Sequence, residues 1–230
     1  MGKREEIREK RQHEKRRNLL VATLVIAGVV ILITALVISR SQAQIQSIIT
    51  PTSFDFPQGE GLAMGDPNAP VVIDEFSDFQ CPACQFFHEQ TLEQVVDQYI
   101  KTGDVYYIFH NFPFIGKDSL AAAIGGYCAA EQGLFWEYSN ILFANQIGEN
   151  VQSFSSARLE AMAEIIGLDA DFAECLREER YQDQVNADFL AAQEAGIEST
   201  PSFLINGQLV TGAFPFETFQ GYIEQALAGN

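Results

Sequence analysis

The chain has 230 residues, 47% hydrophobic and 20% charged, enough for one sizeable core and too apolar for a disordered protein. Its formal charge of −17 is unevenly spread: residues 1–40 carry nine Lys/Arg and four Asp/Glu, so residues 41–230 hold five basic and twenty-seven acidic groups, a net of 5 − 27 = −22. A domain that acidic is a poor candidate for binding phosphate backbones, which argues against nucleic acid as a direct partner.

Residues 1–18 form a basic N-terminus with Lys3, Arg4, Arg8, Lys10, Arg11, Lys15, Arg16 and Arg17. Residues 19–38, LLVATLVIAGVVILITALVI, follow without a charge. As a helix they rise about 30 Å, the thickness of a hydrocarbon core. Only Arg40 lies close on the far side, so the charge bias puts the N-terminus in the cytoplasm and the rest outside the cell membrane. Ser41-Gln42-Ala43 resembles a signal cleavage site, but the apolar core exceeds the roughly 7–15 residues of such peptides, which favours an uncleaved anchor. Residues 39–66, rich in Gln, Ser, Pro and Gly without a sustained period, read as a linker holding the domain at variable distance.

The outer domain, 67–230, opens with a buried strand, Val71 to Phe76. A short loop leads to Cys81-Pro82-Ala83-Cys84. From Pro82 to Lys101 the pattern is helical, with Leu92, Val95, Val96, Tyr99 and Ile100 on one apolar face and Pro82 suited to the first turn. Val105 to Phe109 is a second strand. Amphipathic stretches at 118–131, 134–146, 156–166 and 170–195 form a helical insertion, about 117–196, punctuated by Gly133, Gly148 and Gly167. Ser202 to Ile205 and Gln208 to Thr211 flank Asn206-Gly207, a hairpin signal, and a last helix covers 215–228. This order predicts an α/β layer design with one sheet.

Cys81 falls at a helix start, where unpaired N–H groups and the dipole favour a thiolate, the reactive form. Cys84 lies one turn on, in reach to close a disulfide. The spacing predicts an exposed nucleophile at Cys81 and a buried resolving thiol at Cys84, acting through mixed disulfides. The alternative of a zinc site lacks ligands: Cys128 and Cys175 stand alone, and His88 is seven residues past Cys81. No metal is expected. His110 reads as packed or as a rim residue, and Phe79, Phe112, Phe114, Phe214 and Phe216 as core or as an apolar patch near Cys81.

Asp74-Glu75-Phe76-Ser77-Asp78-Phe79-Gln80-Cys81-Pro82-Ala83-Cys84, with Thr200-Pro201-Ser202-Phe203 before Asn206-Gly207, closely resembles the DsbA-like thiol–disulfide oxidoreductase family, in its membrane-anchored branch. The resemblance covers about 62–228. It implies a thioredoxin-like fold with an inserted helical domain, here preceded by one transmembrane helix. It implies that Cys81 is the attacked or attacking sulfur, that Cys84 resolves, and that the Thr200-Pro201 bond is cis. Thr200, Pro201, Pro82 and Ala83 would face the substrate. Glu75 matches the buried acid that moves the Cys84 proton; the alternative is a solvated strand-end carboxylate. Cys128 and Cys175 would form a structural disulfide, with two buried thiols as the alternative.

The implied activity is donation of the Cys81–Cys84 disulfide to exported proteins, with no cofactor beyond that disulfide. A membrane-embedded quinone-linked partner of the DsbB or vitamin-K-epoxide-reductase type would re-oxidise it. The strongly oxidising members carry His where this chain has Ala83, which leaves the direction of electron flow open. The alternatives are a disulfide reductase or isomerase of the same fold, or a non-catalytic chaperone-like or metal-carrier module.

Overall fold

The computed structural model describes residues 2–52, 54–57 and 59–229 and divides into two units, Met1–Ser47 and Ile48–Asn230. The first is one helix, α1 (Lys3–Gln46). Within its stretch Glu14–Ser39 an 18-residue window has a mean hydropathy of 3.0, and the stretch is long and apolar enough to cross a membrane. The side chains of residues 3–13 and 40–46, including five of the basic residues, Arg40 and the Ser41-Gln42-Ala43 signal, lie outside the described residues.

The second unit is built on a five-stranded sheet of order β1-β3-β2-β4-β5. Its strands are β1 (Ala63–Met64), β2 (Val71–Ser77), β3 (Val105–Asn111), β4 (Ser202–Ile205) and β5 (Gln208–Thr211). β2 and β3 are parallel, with Val71 opposite Val105 and Ser77 opposite Asn111; the other pairs are antiparallel. Asn206 (φ 48°) and Gly207 (φ 81°) both take left-handed backbone, as the two-residue hairpin between β4 and β5 requires.

One sheet face carries Val71, Ile73, Glu75 and Ser77 of β2 beside Val105, Tyr107, Phe109 and Asn111 of β3, all buried. Helix α2 starts at Pro82–Phe87 and runs on through Glu93–Val95 and two π-helical segments, His88–Leu92 and Val96–Ile100. The i→i+5 pattern at its end is seen in Lys101 N–H donating to Val96 O at 2.9 Å. Even so, the five residues expected on its apolar face are all buried. Phe87 packs on Phe203 of β4 (4.6 Å) and on Phe219 (4.9 Å) of the last helix, so α2 and that helix cover the same face. Each such aromatic contributes roughly 1.5–3 kcal/mol by burial.

Five helices, α3 (Lys117–Ala130), α4 (Phe135–Ala144), α5 (Ser156–Ile165), α6 (Ala170–Arg177) and α7 (Gln182–Glu194), separate β3 from β4, and α8 (Phe216–Ala228) ends the chain. The sequence suggested one helix over 170–195. The structure breaks it at Glu178–Tyr181, where Glu179 is left-handed (φ 49°) and Arg180 pairs with Glu131 at 2.9 Å. Cys128 of α3 and Cys175 of α6 are disulfide-bonded with Cα atoms 5.9 Å apart.

The expected linker differs most. From Ile48 the chain is strapped to the domain rather than free. Asn145 clasps Ile49 from both sides, accepting from its N–H (2.8 Å) and donating to its carbonyl (2.7 Å). Phe56 stacks on Trp136 (6.0 Å), Leu62 and Met64 join the core, and β1 pairs with β3. Gly65 (φ 94°) lets the chain leave β1 where a Cβ would meet the Val105 carbonyl at 2.7 Å. The apolar residues responsible are spaced without a period, so composition alone read as tether.

Candidate active site

The site lies past the carboxyl ends of the parallel pair β2 and β3, the crevice open α/β sheets offer to ligands. The loop from β2 to α2 is fixed by Asp78. Its Oδ1 accepts from Gln80 N–H (2.8 Å), its Oδ2 from Phe114 and Ile115 N–H (3.0 and 3.2 Å), and its carbonyl from Cys81 N–H (2.9 Å). Gln80 Nε2 donates to Ser119 Oγ (2.8 Å), tying the loop to the insertion.

Cys81 is the N-cap of α2, with Pro82 in the first turn. The Cys81 and Cys84 sulfurs are both unbonded thiols. Cys84 is fully buried, as expected. Cys81 departs from expectation: only 7% of it is exposed, because the Thr200-Pro201 loop roofs it, with its S–H 3.4 Å from the Thr200 carbonyl. The Thr200-Pro201 bond is cis. Pro82 is exposed, Ala83 and Thr200 are half-buried, and Pro201 is buried. Thus Cys81, Cys84, Pro82, Ala83, Thr200 and Pro201 gather in one place.

The two sulfurs are driven apart electrostatically. The Cys81 thiol is lowered to about 6, first by the hydrogen bond from Cys84 and then, against its own desolvation, by Thr200 and the Cys84 and Ala83 backbone N–H groups. The Cys84 thiol is pushed well above its ordinary value by burial and by the Cys81 charge. The sequence credited the helix N–H groups with stabilising the thiolate. In the structure the Cys84 proton leads and those groups are secondary.

Glu75 is 1% exposed, which rules out the solvated strand-end alternative. Its Oε2 accepts from Tyr107 Oη at 2.8 Å. Burial raises its carboxyl to about 7, with Tyr107 and Ser77 opposing the rise. A single sequence gave no signal for Tyr107, which the strand alternation assigns only to the core. Asp78 carried one, an Asx residue two before Gln80 in a turn.

The remaining candidates lie elsewhere. His88 is buried against Phe143 (4.6 Å) and lowered to about 4 by desolvation. His110 pairs with Asp74 at 2.8 Å and stacks on Phe76. Phe79, Phe112 and Phe216 are core residues, Phe214 is half-buried, and Phe114 is 49% exposed. Among the described residues no cluster of His, Cys, Asp and Glu could hold a metal ion.

The family model described as thioredoxin matches residues 58–225. The chain belongs to the DsbA-like thioredoxin family. A relative from Bacillus cereus, "Probable disulfide bond formation protein D", is 31% identical over 157 residues, covering 66% of this chain and 73% of that protein. The crystal structure of oxidised BdbD from Bacillus subtilis superposes with a TM-score of 0.67 at 25% identity, over 76% of this chain and all of that one. The α-DsbA1 of Wolbachia pipientis gives 0.64 at 24% identity, covering 76% and 94%, a likeness of fold.

Proposed function

We propose that this DsbA-like enzyme is a membrane-anchored disulfide donor whose centre is Cys81-Pro82-Ala83-Cys84. The observation that carries the reading is the pairing of a thiol lowered to about 6 with a neighbour raised well above the ordinary range. A sulfur so easily ionised is a good leaving group, and a stabilised reduced form makes the disulfide oxidising. The disulfide-forming role printed in the name of the Bacillus cereus relative supports the same direction.

In the forward reaction a client thiolate attacks Cys81 Sγ of the Cys81–Cys84 disulfide. The S–S bond breaks, Cys84 leaves with the electron pair and is protonated, and Glu75 is the proton source. A second client thiolate then attacks the client sulfur of the mixed disulfide and expels the Cys81 thiolate. The client gains a disulfide and the enzyme is left reduced. The Thr200-Pro201 loop, beside Cys81, would seat the client as an extended segment, with Pro82 and Ala83 opposite.

The clients in this reading are exported proteins with free thiols. Helix α1 stays uncleaved as a single-pass anchor with its basic end in the cytoplasm and the catalytic domain outside, where disulfides persist. A membrane-embedded quinone-linked protein, of the DsbB or vitamin-K-epoxide-reductase type, takes the two electrons from reduced Cys81 and Cys84. No cofactor beyond the cysteine pair enters this scheme.

Oxidative refolding of a reduced, unfolded client tests it. The wild type accelerates disulfide formation and Cys81→Ser does not; equal rates would defeat the enzyme assignment. Equilibration with glutathione then fixes the direction. A potential near thioredoxin's, about −270 mV, would replace the donor by a reductase.

A further inference from the structure

Gln80, the residue before Cys81, is completely buried, and each of its polar groups is engaged. Its N–H donates to Asp78 Oδ1 (2.8 Å) within the loop. The other three bonds reach the helical insertion. Nε2 donates to Ser119 Oγ of α3 (2.8 Å), Oε1 accepts from Asn150 N–H (2.6 Å), and the carbonyl accepts from Gln146 Nε2 (2.5 Å). A buried amide satisfied at both ends fixes its neighbours in place, because each lost partner leaves a desolvated group behind.

Gln146 belongs to the turn after α4, and that turn also grips the far flank of the cysteine pair. Gln85, the residue after Cys84, donates through Nε2 to the Phe143 carbonyl (2.8 Å) and to the Gln146 carbonyl (3.4 Å). Gln146 therefore holds the chain on both sides of Cys81-Pro82-Ala83-Cys84, by its side chain before the segment and by its carbonyl after it. The turn is itself braced. Asn150 takes left-handed backbone (φ 55°), which a non-glycine residue adopts only when its surroundings enforce it, and its Nδ2 donates to the Ile115 carbonyl (3.3 Å).

What the grip secures is the position of one sulfur. Cys81 Sγ lies 3.4 Å from the Thr200 carbonyl, at the start of a helix that Gln80 and Gln85 bracket. Hydrogen bonds weaken steeply with distance and angle, so a small shift of that helix start removes them. We propose that Gln146 and Gln80 are positioning residues, a clamp by which the insertion seats both flanks of the cysteine segment and holds Cys81 beside Thr200, a role that rests on the thiol–disulfide exchange proposed above. Among the described residues neither side chain is hydrogen-bonded to a cysteine, so both act through the backbone between them.

The test follows alkylation of Cys81 against pH in the reduced full chain for Gln146→Met and Gln80→Met. Methionine matches glutamine in length and forms none of these hydrogen bonds. Loss of one hydrogen bond to the thiolate raises its midpoint by about one unit, a tenfold change in ionisation. Each variant should titrate at about 7 or above where the wild type titrates at about 6. Equilibration with glutathione at pH 7 should then move about fivefold toward the Cys81–Cys84 disulfide. Paired alanines at Cys128 and Cys175 lower stability without touching the clamp and should leave the midpoint at about 6. Gln146→Met removes a single hydrogen bond, and decides the matter alone should Gln80→Met fail to fold. A Gln146→Met chain that melts lower yet titrates like the wild type would overturn the clamp, as would an equal shift on opening the Cys128–Cys175 bond. A wild type titrating at the free-cysteine value of about 8.5 would instead defeat the exchange reading beneath it.

Discussion

Replacing Glu75 by Gln should stabilise the protein in alkali and leave it unchanged in acid. The Glu75 carboxyl, ordinarily at 4.5, is raised to about 7 by burial. Below 4.5 the folded and unfolded chains both hold its proton. Between 4.5 and 7 the unfolded chain releases it and the folded chain keeps it, so stability falls as pH rises and the loss is complete above about 7. A shift of that size at about 1.4 kcal/mol per unit is roughly 3 kcal/mol. Glutamine carries no titrating proton and still accepts from Tyr107, so Glu75→Gln escapes the penalty. Urea unfolding can be followed through Trp136, the single tryptophan, which is buried. The variant and the wild type should unfold alike at pH 4 and differ by about 3 kcal/mol at pH 8, with a melting difference of roughly 6–12 °C. A difference that does not change with pH, or a wild type more stable than the variant at pH 8, would refute the buried neutral acid.

Tyr107→Phe removes a hydrogen bond that opposes the rise of Glu75, so the carboxyl should titrate above about 7 by carbon-13 NMR. Opening the Cys128–Cys175 bond with paired alanines frees a loop of sequence separation 47, and urea unfolding should register a loss of about 4 kcal/mol. Cys84→Ala removes the leading stabiliser of the Cys81 thiolate, so the Cys81 midpoint should climb from about 6 toward the free-thiol range, read by alkylation rate against pH.

The parts of this fold carried by local pattern were legible in the sequence. Val71–Ser77, the Asn206-Gly207 hairpin and Phe216–Ala228 follow directly from apolar runs and turn chemistry. The cysteine pair and the Thr200-Pro201 loop were legible because both are short linear motifs. What stayed hidden depends on contacts across the sheet. Tyr107 reaches Glu75 from a neighbouring strand, and in one dimension it is simply an apolar strand residue. The partial cover over Cys81 comes from a loop 119 residues away, which no local signal at Cys81 reports. The strap from Ile48 to Met64 was masked because its anchoring residues, Phe56 and Leu62, sit among prolines and glycines. The π-helical segments of α2 left the expected apolar face intact, so a 3.6-residue pattern did not distinguish them.

The most direct measurement is the pH dependence of Cys81 alkylation in the reduced full chain. A midpoint near 6 is predicted, with Cys84 unreactive throughout. A midpoint at the free-cysteine value of about 8.5, or alkylation of both thiols together, would contradict the division of labour between the two sulfurs.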